Sequence, residues 1–171
     1  MNSFVRFLIY MLLAVFSTAA FAQSEAQKSF TQLKSLAGTW EGKMKLTPPM
    51  PEMDGKPVHI TLRVTSMGNV LMHELNAEGR PDDPITMLYL DDGRLTLTHY
   101  CDAGNRPRMV AKTSADGKTI EFELTDVSGG MQRGHMHHAV FTLGDADTHT
   151  EDWTFMLPGD KHVLALSLIH I

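Results

Sequence analysis

The sequence predicts an all-β fold: an antiparallel up-and-down barrel of about nine or ten short strands with a short N-terminal helix. Three observations carry this. Apolar and polar residues alternate with period two through most of the chain after Gly38. Clusters of Gly, Asn, Asp and Pro interrupt the alternation roughly every ten residues, the spacing of hairpins. Helical periodicity is confined to one segment near the start. The unbroken series of hairpin signals favours a meandering barrel over a Greek-key sandwich.

In order along the chain, residues 1–22 read as a secretory signal peptide. Arg6 supplies the positive charge, Phe7 to Phe16 is almost wholly apolar, and Ala20-Phe21-Ala22 fits a small-x-small cleavage site. Cleavage there leaves residues 23–171 as a single domain, exported to the periplasm or secreted, with no membrane segment expected afterwards. A chain of this size builds a real core. The formal net charge of −5 gives no basic footprint for nucleic acid. Cys101 is the only cysteine, so no internal disulfide forms and packing alone must hold the fold.

Ser24 to Ala37 is the helical segment, with Phe30, Leu33, Leu36 and Ala37 at helical spacing, Ser24 as cap and Gly38 as stop. It is too short to stand alone and must lie on the sheet. Gly38 to Leu46 opens the strands. Thr47 to Pro57 holds four prolines and predicts a loop at one end of the domain. Strands follow over Val58–Thr65, Val70–Asn76, Ile85–Leu90 and Arg94–Cys101, the last two flanking the hairpin signal Asp91-Asp92-Gly93. Further strands fall at Arg106–Thr113, Lys118–Asp126, His135–Leu143 and Thr148–Met156, and a final one begins at Lys161. The closing residues Leu166 to Ile171 resemble translated adapter sequence and read as a non-native end, with a genuine apolar terminal strand as the alternative.

The chemistry concentrates on three strands. Leu95 and Leu97 share a face with His99 and Cys101; Trp153 and Phe155 share one with His149 and Glu151; Ala139, Phe141 and Leu143 share one with His135 and His137. The predicted inward set is therefore His99, Cys101, His135, His137, His149, Glu151 and Trp153. Glu74 is a further candidate on a strand of ambiguous parity. Same-level side chains on adjacent strands lie about 5 Å apart, and a His-x-His pair about 7 Å apart. Two occupants fit such a wall. One is a small ligand enclosed by apolar side chains and oriented by His and Glu. The other is a divalent metal such as zinc, held by His135, His137, His149 and His99. An acid–base or metal-dependent enzyme using the same cluster is the alternative function. No nucleophile elbow, triad order or phosphate loop is present. Cys101 reads as a small core residue, with a free thiol or a ligand as alternatives. The twelve methionines read as core filler.

Gly38-Thr39-Trp40-Glu41-Gly42, placed after a helix and opening the first strand, is similar to the Gly-x-Trp signature of lipocalins and their calycin relatives. The resemblance implies that Trp40 closes one end of the barrel under the helix. Together with Leu97-Thr98-His99-Tyr100-Cys101, Gly134-His135-Met136-His137 and the Trp153 strand, the mature chain resembles a group of bacterial secreted calycin-like proteins. That group implies a calycin-like barrel and no established activity. Haem-binding nitrobindin-type barrels carry Gly-x-Trp-x-Gly-x-Gly; here Met44 stands where the last Gly falls. Haem thus remains an alternative cofactor beside a divalent metal.

Overall fold

The computed structural model describes residues 23–80 and 83–159, and the backbone of 161–163. Residues 1–22, expected to form a signal peptide, and the terminal residues 166–171 lie outside the described residues. Helix α1 spans Glu25–Ser35 and is followed by ten strands: β1 Gly38–Lys43, β2 Pro57–Thr65, β3 Val70–Ala77, β4 Ile85–Asp91, β5 Arg94–Tyr100, β6 Arg106–Thr113, β7 Thr119–Ser128, β8 His135–Leu143, β9 His149–Leu157 and β10 Lys161–Val163. All ten form one sheet in sequence order, each strand antiparallel to the next. Among the described residues no ladder joins β1 to β10. The sheet instead curls until inward side chains of distant strands touch. Trp40 of β1 meets His149 of β9 edge-on at 4.3 Å between ring centroids, and His99 of β5 meets Trp153 of β9 at 5.7 Å.

Local chemistry explains the elements. Ser24 caps α1, its Oγ accepting from Gln27 N at 3.2 Å. The helix ends in two tight turns, Leu36 N to Leu33 O and Ala37 N to Lys34 O. Its apolar stripe buries Phe30 and Leu33 against the sheet, where it packs on β2, β4, β5 and β6. Ser29 Oγ lies 2.8 Å from Thr113 Oγ1, and Lys34 donates to Gly68 O at 3.1 Å. The helix therefore covers the end of the barrel that carries the β2–β3 and β6–β7 turns. Trp40 Nε1 donates to Leu36 O at 2.7 Å, tying β1 to the end of α1.

The core fills the interior on the helix side. Leu88, Leu95, Leu97, Ile120, Phe122 and Phe141 are almost wholly buried, and Phe122 and Phe141 pack edge to face. The opposite end carries the proline-rich β1–β2 connection and the β3–β4 and β5–β6 loops. No helix among the described residues is long and apolar enough to cross a membrane.

Candidate functional site

Strand β9 builds the centre of the site. Its alternation turns His149, Glu151, Trp153 and Phe155 inward, as expected. Glu151 is fully buried and accepts three hydrogen bonds. His73 Nε2 lies 2.9 Å and Trp153 Nε1 2.9 Å from Oε2, and His149 Nε2 lies 3.1 Å from Oε1. Burial opposes ionisation of this carboxyl. The attraction of His73 and the hydrogen bonds from His149 and His73 outweigh it, and Glu151 is held far below the ordinary carboxylate range. A charge this deep persists only when each lone pair is matched by a donor. The Nδ1 atoms of His73 and His149 are buried and have no hydrogen-bond partner.

Above this cluster lies a cavity of about 320 Å³. It opens at the end away from α1, between the β1–β2, β3–β4 and β5–β6 loops. Its walls are mainly apolar: Met44, Leu46, Leu75, Met136 and Phe155 among them. Its floor is polar. His73, Thr86 and His99 stand in one cross-strand row, since His73 pairs with Thr86 and Thr86 with His99. Thr86 Oγ1 lies 2.8 Å from His99 Nδ1, which leaves Nε2 as the free polar atom of that ring. Burial, assisted by repulsion from His73, lowers the pKa of His99 to about 4, so the imidazole is neutral at pH 7. At the mouth Arg80 and Asp102 form an ion pair beside Cys101.

The structure brings together His99, Cys101 and Trp153 around the cavity and sets Glu151 and His149 beneath its floor. Cys101 is half-buried in the cavity lining, just beyond β5, and not in the core. Burial raises its thiol pKa.

His135 and His137 depart from the expectation. Neither lines the cavity; they bond each other, with His135 Nε2 3.2 Å from His137 Nδ1. The reason is a β-bulge. Met136 pairs with Phe155 and His138 with Thr154, so His137 is the extra residue. Before the bulge the inward residue is Met136; after it, Ala139 and Phe141. A strict period of two carried back from Phe141 assigns His135 and His137 to the cavity wall, where neither stands, although His135 is itself buried. Gly134 helps place this turn: it has a φ of +82°, and a Cβ there would lie 2.7 Å from the Phe155 ring.

The four-histidine metal set of His135, His137, His149 and His99 therefore does not converge. Among the described residues the His, Cys, Asp and Glu groups with three ligand atoms within 4.8 Å of one another are Glu121, Glu123 and His138, on the outer face. Glu74 is half-buried and takes no part in the cluster.

His73 is the principal residue that sequence reasoning missed. Its strand carries apolar residues on both faces, and Met72 suggested the even register. The run Leu71, His73, Leu75, Ala77 was the available signal.

Neither protein-family models nor curated proteins match this chain. Fold and site together define it as an all-β, barrel-like protein with a buried His–Glu–His–Trp cluster beneath an open, largely apolar cavity.

Proposed function

We propose that this protein is exported and binds a small ligand inside the barrel. One observation carries the reading: an apolar-walled cavity whose floor is the polar row His73, Thr86 and His99. Its volume of about 320 Å³ falls at the lower end of small-molecule sites, which run from about 300 to 1,000 Å³. The ligand is mostly apolar and carries one uncharged hydrogen-bonding group that meets His99 Nε2. A neutral imidazole in a low-dielectric floor favours an uncharged organic group over an organic ion, which it neither neutralises nor coordinates. Glu151 contributes by position: it fixes the rings of His73 and Trp153 so that both present fixed faces upward. Export is supported by the features of residues 1–22.

Cys101 provides the test, because it is the only thiol and lines the cavity. Purified protein is titrated with the uncharged dye N-phenyl-1-naphthylamine, and the rate of Cys101 modification by a thiol reagent is followed at each dye concentration. Saturable dye fluorescence with parallel protection of Cys101 is the expected result. Dye binding that leaves Cys101 as reactive as before, or no saturable binding, overturns the proposal.

A further inference from the structure

Met50-Pro51-Glu52-Met53 makes a tight turn within the β1–β2 connection. Met53 N and Asp54 N both donate to Met50 O, at 2.9 and 2.8 Å. A three-residue spacing in such a turn sets both side chains on one side. The turn is clamped back onto the end of β1, where Met44 N donates to Lys56 O at 2.9 Å and Gly55 N donates to Met44 O at 2.7 Å. Met136 reaches the same cavity from β8, because the bulge at His137 turns it inward.

Four of the twelve methionines thus line one space, Met44, Met50, Met53 and Met136, with Met50 at its exposed rim. Read as core filler, they look dispersed; the loop hydrogen bonds and the bulge gather them. Leu or Ile would serve an apolar wall equally well. What thioethers add is a soft donor that needs no charge. His99 adds an imidazole with a free Nε2, neutral at pH 7 and so able to ligate. The hard donors nearby are engaged: Asp102 by Arg80, and Glu151 by three N–H groups.

We propose that the cavity is a binding site for a soft monovalent cation, Cu(I) or Ag(I), held by His99 Nε2 with two or three of the thioethers of Met44, Met50, Met53 and Met136. Divalent zinc is a poor match, because these donors are neutral and mostly sulfur. The inference uses the cavity assigned to a small ligand above, but stands on different side-chain chemistry.

The test is Cu(I) titration under anaerobic reducing conditions in competition with bicinchoninate. It is run on the protein and on its Cys101→Ser variant, so that ordinary thiol binding is removed. The Cys101→Ser protein should bind one Cu(I) with an affinity well above that of free methionine. Adding Met→Leu at positions 44, 50, 53 and 136 keeps the wall apolar at similar volume, and should weaken Cu(I) by about tenfold or more. Circular dichroism and dye binding report whether this variant retains its fold and cavity; the single Met50→Leu and Met53→Leu variants provide graded losses if it does not. Cu(I) affinity unchanged by these substitutions, or no better than free methionine in the Cys101→Ser protein, overturns the metal site. Dye binding with no Cu(I) binding overturns it while leaving the small-ligand reading intact. Cu(I) binding without dye binding does the reverse.

Discussion

The molecule holds two groups of histidines, and they differ in what their partners can reach. Inside, His73, His99 and His149 are nearly inaccessible, and each bonds a group that is itself buried, Glu151 or Thr86. Away from the cavity, His138 lies 2.9 Å from Glu121 and 3.9 Å from Glu123, both of which reach solvent, and His135, itself as buried as His99, bonds the partly exposed His137. In sequence the second group is the more conspicuous, a run of three histidines within four residues. In the structure the first group carries the energetics. A carboxylate that water can reach loses little when its partner goes. A carboxylate that water cannot reach makes each donor obligatory, and each donor depends on it in turn.

Glu151→Ala is the strongest test of this contrast. It leaves the ring N–H groups directed at the carboxylate, and that of Trp153, buried with no acceptor. The expected loss is about 3–5 kcal/mol of stability, as for breaking a buried ion pair. Glu121→Ala on the outer face should cost less than about 1 kcal/mol. Guanidinium unfolding of the two variants measures both, and equal losses would erase the distinction.

The next effect is on acid stability. His99 takes a proton at about 6.5 when unfolded and only at about 4 when folded. Between these values the unfolded chain binds more protons, so stability rises with pH. The His99 contribution is complete above pH 6.5 and is lost as pH falls toward 4, amounting to roughly 3 kcal/mol at most. Glu151 adds a separate loss that begins only below its ordinary value of 4.5, since its folded value lies lower still. Unfolding free energies measured from pH 8 to pH 4 should therefore fall in the wild type, and His99→Gln should flatten the curve above pH 4.5. A His99→Gln curve parallel to the wild type would remove His99 from the account.

The smallest effect is expected at the bulge. His137→Asn should leave N-phenyl-1-naphthylamine affinity within about twofold of wild type and stability within about 1 kcal/mol. A large loss of dye binding there would place the bulge in the site after all.

The elements were legible because their signals are local. Val58, Ile60 and Leu62 alternate cleanly and are buried in β2; Asp91-Asp92-Gly93 marked the β4–β5 hairpin; Ser24 caps the helix it was expected to cap. The inward direction of His99, Glu151 and Trp153 was legible because their strand neighbours are apolar on one side alone. His135 and His137 were misplaced because a single inserted residue shifts the side-chain period, and no residue type marks that insertion. His73 was missed because β3 is apolar on both faces.

The sequence by itself determined the all-β class, the strand order of a meander and the side chains that β5 and β9 turn inward. These follow from period-two alternation and turn chemistry, which act over a few residues. Only the tertiary structure decided which inward groups meet. The curl of the sheet sets His73 of β3 against Glu151 of β9, and brings Met136 into one cavity lining with Met50 and Met53. Such meetings depend on the register of every intervening strand and on where a bulge resets it, and no local pattern carries that sum.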